Sequence, residues 1–373
     1  MRKNSEYEQE AKTLWKTCFD DSQDFIDFYF DHKSDIDSLR FLANLKSNKL
    51  ESAMLLIPYS MTYFGEAIKT KYVSGAGTEP DYRKKGCMDQ LLRKCIKEMY
   101  INGTDLCTLI PANRNLFDYY QKTNFATLFK KEYVEYDNKF GFKAYDIKIK
   151  EIELACPKED MPNTREGVVR EQRKAKLKDW LFPFMKKGIK QCQFGIQHTN
   201  SDYEEIIADL LVDNGKVITA FKNGELKSVA LAYCCNDNTC YSIEEIINPS
   251  CTMDYELCIV NYLIQNSHIK TVRVRQHNTN KGEDYGMGRI INLTHLLKIY
   301  ARHNPEMELS MNVYDPIIDE NCGQYYISKG KMTKKGMPCK PIKEVDITQL
   351  VNILIHDEKK PKEAAYMSLM MEN

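Results

Sequence analysis

The sequence predicts a mixed α/β architecture in which helices flank mixed sheets, laid out over more than one unit. Length is the first reason. A single hydrophobic core stops growing at roughly 250–300 residues, so a chain of 373 residues is expected to form two or three domains. The second is alternation along the chain between apolar residues at helical spacing and short strand-like runs. The third is a hairpin signal near the middle, where the apolar-rich runs Lys216–Phe221 and Glu225–Cys234 are joined through Lys222-Asn223-Gly224, a tight-turn sequence.

From Tyr7 to Phe30 the residues Ala11, Leu14, Trp15, Cys18, then Phe25, Ile26, Phe28, Tyr29 and Phe30 recur at helical spacing, predicting one or two opening helices. Leu39–Ile57 reads as two strands separated by Lys46-Ser47-Asn48-Lys49, and Lys69–Thr78 as a third, together an antiparallel meander. After Pro80 the pattern becomes helical, with Met88, Leu91, Leu92, Cys95, Ile96 and Met99 on one face and Asn102-Gly103 as the stop. A short strand at Asp105–Ile110, a short helix at Asn115–Lys122 and a strand near Phe129–Tyr136 complete the first unit. Residues 156–166, with Pro157 and Pro162 among charges, read as a linker.

The second unit begins near Trp180 and contains the hairpin, a strand at Tyr241–Ile247, a helix at Asp254–Asn266 and a strand at Thr271–Arg275. That order repeats the first unit coarsely. A third unit holds a helix at Ile290–Tyr300, a strand at Glu308–Tyr314 and a helix at Ile347–Ile355. It ends in an apolar tail, Ala364–Met371. Because termini stay mobile unless tied down, an apolar tail points to docking.

Lys+Arg and Asp+Glu are equal at 53 each, so the overall charge favours neither nucleic acid nor an anionic membrane. The N-terminus lacks the apolar core of a signal peptide and no run of about 18 apolar residues occurs, so a soluble, cytoplasmic protein is expected. The 13 cysteines show no CxxC pair and no His/Cys cluster at zinc spacing. They read as reduced thiols, mostly core filling, and no metal site is expected.

The segment that carries chemistry is residues 71–88, Lys-Tyr-Val-Ser-Gly-Ala-Gly-Thr-Glu-Pro-Asp-Tyr-Arg-Lys-Lys-Gly-Cys-Met. A strand ends at Thr78, Pro80 breaks it, and Arg83–Gly86 is expected to form the first turn of the following helix. Amides at a helix N-terminus are unpaired and lie at the positive end of the macrodipole, so a pyrophosphate binds well there. Gly86 permits close approach to the backbone. Arg83, Lys84 and Lys85 sit where a helix normally prefers acidic residues, which favours an anionic ligand. Taken alone, the same residues also describe a strand-turn-helix with a solvated basic patch. The context downstream weighs against that: about thirty residues later comes Asn115-Leu-Phe-Asp-Tyr-Tyr-Gln-Lys-Thr-Asn-Phe, a short helix carrying Tyr120 after the next strand.

Here the sequence resembles the GNAT acetyltransferases, in which a strand, an Arg/Gln-x-x-Gly-x-Gly/Ala turn opening a helix, a second strand and a short helix with a tyrosine follow in order. Arg83-Lys84-Lys85-Gly86 matches the turn, and Tyr120 lies five residues before Phe125. Met88 stands where the general motif has Gly or Ala, a departure that fits the narrower Eis-like (enhanced intracellular survival) group. The resemblance implies tandem GNAT-type mixed sheets plus a C-terminal sterol-carrier-protein-like α+β domain. The divisions are 1–155 for the catalytic GNAT domain, 156–278 for a degenerate GNAT-like domain lacking Arg-x-x-Gly, and 279–373 for the carrier-like domain. The last is carried by Tyr285-Gly-Met-Gly-Arg-Ile-Ile, Leu309-Ser-Met-Asn-Val-Tyr-Asp-Pro and Asp346-Ile-Thr-Gln-Leu.

The activity implied is N-acetyl transfer from acetyl-CoA, as co-substrate, to a primary amine of a small molecule or peptide. Pantetheine would lie against the strand ending at Thr78, and the cofactor contacts would be Ala76, Gly77, Thr78, Arg83, Lys84, Lys85, Gly86, Cys87, Met88 and Asn115. Tyr120 matches the catalytic acid that protonates the departing thiolate, and the C-terminal carboxylate, here of Asn373, matches the base. A symmetric homo-oligomer, a hexamer or a smaller ring, is implied as well. The alternative is a noncatalytic protein that senses acyl-CoA and binds a lipid or partner. Phe25, Phe28, Tyr29 and Phe30, interleaved with Asp20, Asp21, Asp24 and Asp27, describe either an acceptor wall suited to a cationic amine or an amphipathic helix with a solvated acidic face.

Overall fold

The computed structural model describes residues 4–33, 38–44, 46–154, 178–212, 214–235, 239–250, 252–267, 269–276, 281–336, 338, 340–355 and 364–368. The linker predicted at 156–166 and the terminal Asn373 lie outside them. The chain divides into two compact units, one from Met1–Phe129 and Asp284–Ala365, the other from Lys130–Glu283 and Tyr366–Asn373.

The first unit opens with α1 (Asn4–Phe19) and α2 (Gln23–Lys33), followed by β1 (Leu39–Ala43), β2 (Leu50–Tyr63) and β3 (Glu66–Thr78). The three strands form the expected antiparallel meander. β2 and β3 are longer than their apolar runs because Phe64 (φ 51°) and Gly65 (φ 80°) make a two-residue turn with both φ positive. A phenylalanine in that conformation gives no turn signal in sequence. Next come a single 3₁₀ turn (Pro80–Tyr82), α3 (Cys87–Ile101), β4 (Leu106–Leu109), α4 (Arg114–Gln121) and β5 (Ala126–Lys131). α3 buries Leu91, Leu92, Cys95, Ile96 and Met99, the face its periodicity marks.

The strand predicted at Phe129–Tyr136 is two strands in different sheets, β5 and β6 (Tyr133–Asp137). The second unit continues with β7 (Lys148–Glu151), α5 (Leu181–Ile189), β8 (Ile196–Gln197), α6 (Asn200–Val212), β9 (Lys216–Lys222), β10 (Glu225–Cys234), β11 (Cys240–Ile247), α7 (Met253–Asn266) and β12 (Thr271–Arg275). Its sheet order is β6-β12-β11-β10-β9-β7. Asn223 (φ 53°) and Gly224 (φ 78°) turn the hairpin as their sequence requires. Ile218, Ala220, Ala230, Ile243, Val272 and Val274 pack on α7 residues including Ile259 and Leu263. On the other face Val217, Val229, Leu231 and Ile247 pack on α5 and α6.

Cys235 and Cys240 form a disulfide, which corrects the reading of every cysteine as a reduced thiol. The reason is register: the Cys235 amide donates to the Cys240 carbonyl at 3.0 Å, setting the two Cα atoms 5.4 Å apart, within bonding range. Sequence spacing does not reveal a pairing made by a hairpin.

The chain then returns to the first unit with β13 (Glu283–Ile290), α8 (Leu293–His303), β14 (Leu309–Tyr314), β15 (Gly323–Ser328), β16 (Lys331–Thr333), β17 (Lys343–Asp346) and α9 (Ile347–Ile355). β13 pairs antiparallel with β4, Met287 opposite Leu109 and Ile290 opposite Leu106, completing the order β1-β2-β3-β4-β13-β5. The helix expected from Ile290 therefore begins at Leu293, capped by Asn292, whose side chain accepts from the His295 amide at 3.1 Å. The last four strands form their own sheet, β16-β15-β14-β17. Fully buried Arg289 of β13 pairs with Asp315 at 2.8 Å, and Asp315 also accepts from the amides of Ile317 and Ile318 and from the Asn321 side chain.

Candidate active site

The first unit contains a gap between two parallel strands. β3 and β4 pair from Thr70↔Leu106 to Val73↔Leu109. β4 stops there, while β3 runs on to Thr78 beside β2 alone. In that extension the β2 register slips between Ala53 and Leu55, opposite Gly75 and Ala76, a β-bulge that re-aims the strand. Gly75 has φ +57°, and a Cβ there would lie 2.0 Å from the Trp15 ring of α1, so only glycine fits. α2 reaches the same stretch, where the Tyr29 hydroxyl bonds the Ser74 hydroxyl at 2.8 Å.

Beyond Thr78 the chain turns before it becomes helical. Lys84 (φ 61°) and Gly86 (φ 82°) are both left-handed, so Arg83–Gly86 is a turn outside the helix. This corrects the expectation that these residues form its first turn. Gly86 is the N-cap of α3 and accepts from the Gln90 amide at 2.9 Å. The amides of Cys87, Met88 and Asp89, in the first helical turn, have no carbonyl one turn earlier to bond. A Cβ on Gly86 would meet nothing within 4 Å, so the space in front of the turn is open. Arg83, Lys84 and Lys85 are exposed; the Arg83 Nε–H donates to the Thr78 carbonyl at 3.0 Å and Lys85 Nζ lies 5.3 Å from the Tyr82 ring. The one carboxylate in the first helical turn, Asp89, is tied to Arg93 at 2.9 Å. These features fit a pyrophosphate.

Cys87 is buried, and burial together with Glu51 pushes its thiol up, so it is a neutral packing group. Tyr120 sits on α4, whose N-cap Asn113 accepts from the amide of Asn115 at 3.1 Å. The Asn115 side chain is exposed. Tyr120 is 7 % exposed, with Tyr119 and Phe125 rings at 5.2 and 5.9 Å. Burial, and after it Tyr119 and Cys107, push the phenol well above its ordinary value. It therefore holds its proton throughout the neutral range, the state an acid needs.

One cluster joins these pieces: Val73 and Leu109 at the mouth of the gap, Phe117 and Tyr120 of α4, and half-buried Ala76 and Met88. The structure thus gathers Ala76, Met88 and Tyr120, while Asn373 lies outside the described residues. Sequence reasoning missed Gly75 and Ser74, and it named Tyr29 only as a candidate acceptor-wall residue. The signal was present, because two glycines one residue apart inside a strand flag a bulge or a close approach. Of the acceptor-wall residues, Tyr29 and Phe30 are core, Phe25 and Phe28 are half-buried, and Asp27 is paired with Lys12 at 2.8 Å.

Residues 2–128, about a third of the chain, match the family described as Acetyltransferase (GNAT) domain. Among solved structures, the chain is similar to a GCN5-related N-acetyltransferase from Anabaena variabilis, with 13% identity, TM-score 0.72 and coverage of 96% of each chain. It is similar to a conserved protein of unknown function from Enterococcus faecalis, described as a probable N-acyltransferase, with 14% identity, TM-score 0.71 and coverage of 94% of this chain and 88% of that one. Eis1 from Mycobacterium abscessus shows 10% identity and TM-score 0.66, covering 95% of this chain and 88% of that one. These likenesses establish the fold. No curated protein sequence matches the chain. Among the described residues, no helix is long and apolar enough to cross a membrane.

Proposed function

We propose that the protein is an N-acetyltransferase that moves an acetyl group from acetyl-CoA to a primary amine. The observation that carries this reading is the conjunction, in one unit, of an opened β3–β4 pair, a left-handed basic turn at Gly86 and a protonated buried tyrosine in the same cluster. Ala76, Gly77 and Thr78 would align pantetheine along the β3 extension. The amides of Cys87 and Met88, with Lys84, Lys85 and Arg83, would hold the pyrophosphate. Arg83 would exchange its bond to the Thr78 carbonyl for a phosphate oxygen. Asn115 would meet the pantetheine arm from α4.

The amine nitrogen attacks the thioester carbonyl, the C–S bond breaks, and the thiolate takes the proton of Tyr120. The ammonium proton passes to the terminal carboxylate of Asn373, directly or through water. Within this reading residues 1–155 supply Tyr120 and the cofactor contacts, 156–278 belong to a second GNAT-like domain that does not hold acetyl-CoA and whose sheet also takes in β6 and β7, and 279–373 belong to a sterol-carrier-like domain that lends β13 to the first sheet, in a homo-oligomeric, cytoplasmic enzyme. The Eis-like assignment gains support from the likeness in fold to Eis1.

The test is release of free thiol from acetyl-CoA with a panel of polyamines, aminoglycosides and lysine peptides. Turnover on one class identifies the acceptor. Tight acetyl-CoA binding without turnover on any amine would replace this reading with a noncatalytic acyl-CoA-binding protein.

A further inference from the structure

The second unit repeats the strand gap of the first and fills it. β11 and β12 pair in parallel from Cys240↔Thr271 to Ile243↔Val274. β12 ends one residue later at Arg275, while β11 continues to Ile247. The register with β10 slips at Glu244, between Ile243 and Glu245, one residue past the last parallel pair; in the first unit the slip falls two residues past Val73. The two lips of this gap carry buried charges, Glu245 at 1% and Arg275 at 2% exposure.

Residues 366–368 bond to both lips. The Arg275 Nη2 group donates to the Met367 carbonyl at 2.9 Å, and its guanidinium lies 5.6 Å from the centre of the Tyr366 ring. The Ser368 hydroxyl donates to Glu245 Oε2 at 3.2 Å. The Tyr366 amide donates to the Phe194 carbonyl at 2.8 Å, and the Ile196 amide donates to the Tyr366 carbonyl at 3.0 Å, a strand-like bridge. Tyr366 then packs on Leu231 and Ile247. Buried charges persist only where hydrogen bonds compensate them, and here main-chain and hydroxyl groups of the tail help to do so.

We infer that the β11–β12 gap is a peptide-binding site whose occupant is the chain's own segment Tyr366–Ser368, with Arg275 and Glu245 as positioning residues. The site stands on this geometry alone. Its consequence for catalysis rests on the proposed reading of Asn373 as the base.

The experiment uses the full-length protein with Arg275→Met, Arg275→Lys and Ser368→Ala, read by hydrogen exchange, acetyl-CoA calorimetry and steady-state kinetics. Arg275→Met is expected to speed exchange at Tyr366 and Ile196 by at least about tenfold while the β9–β10 ladder keeps its protection. kcat should fall by at least about tenfold with acetyl-CoA affinity unchanged, and Arg275→Lys should restore part of both. If Arg275→Met loosens the whole unit, Ser368→Ala decides, since it removes only the tail's hydroxyl and should still speed exchange at Tyr366. Unchanged exchange at Tyr366 in Ser368→Ala, or in an Arg275→Met protein whose ladder stays protected, overturns the site. A loosened tail with full kcat keeps the site and rejects the terminus as base, while absence of turnover in the parent protein overturns only the proposed function.

Discussion

Where β3 leaves β4 and where β11 leaves β12, the chain makes one construction twice and puts it to different uses. Each gap follows four parallel pairs, and each has a bulge within two residues beyond the last of them. In the first unit the strand leads through Arg83, Lys84 and Lys85 to a left-handed glycine, with open space in front of it. In the second it leads through Asn248-Pro249-Ser250, without a glycine, to a helix whose first turn carries Asp254 and Glu256. A phosphate is attracted to the first helix start and repelled from the second. Burial differs as well, since charged lips bound to tail residues occupy the second gap. Under the proposed reading, a strand gap alone would not define a cofactor site; the turn that follows it would.

The largest effect that sharpens this contrast is expected from Tyr120→Phe, which keeps the packing and removes the proton. kcat should drop by about 10²–10⁴-fold with acetyl-CoA affinity barely changed, measured by steady-state kinetics and calorimetry. An unchanged kcat would remove Tyr120 from the mechanism. Gly86→Val comes next. It forces a branched side chain to φ +82° and fills the open space, so acetyl-CoA affinity should weaken by at least about tenfold, or roughly 1.4 kcal/mol. Thr252→Val, at the corresponding helix start of the second unit, should leave affinity unchanged; equal losses in the two variants would break the comparison.

A C-terminal extension of a few residues should leave folding and acetyl-CoA binding intact while cutting acetyl transfer by at least about tenfold, whereas an N-terminal extension should do nothing. Equal activity of the two tagged proteins would return the role of base to a side chain or to solvent. The smallest expected effect is a flat line. Because burial raises the Tyr120 phenol above its ordinary value near 10, the acid stays protonated as pH rises. kcat at saturating substrates should then hold level to about pH 9.5, and an alkaline fall with a midpoint below the free phenol value would show that some other group is the acid.

Much of this was legible in sequence, for identifiable reasons. α3, β12 and α9 were read closely because their apolar faces are regular and their ends are marked by Asn102-Gly103 or polar turns. The Asn223-Gly224 turn was read because the residues it needs are the residues present. β13 was missed: Gly286 and Gly288 interrupt its apolar pattern, and its partner β4 lies far away in sequence. The extra length of β3, the disulfide and the Ser74–Tyr29 bond were invisible for a related reason, since each depends on register or on a positive φ at a residue that does not announce it. At the site, the cation-rich turn was legible because charge order is a sequence property. Its exclusion from the helix was not, because Lys84 adopts a conformation that lysine seldom takes.

The buried pair of Arg289 and Asp315 has a consequence for how such a chain can change over time. With both side chains fully enclosed, losing either partner strands the other at a cost of about 3–5 kcal/mol, although a well-packed apolar pair in their place can be neutral. Either residue is therefore hard to replace first, and drift at positions 289 and 315 has to pass through a costly single step or through a paired change. Among divergent sequences of this fold the two positions should keep or lose their charges together.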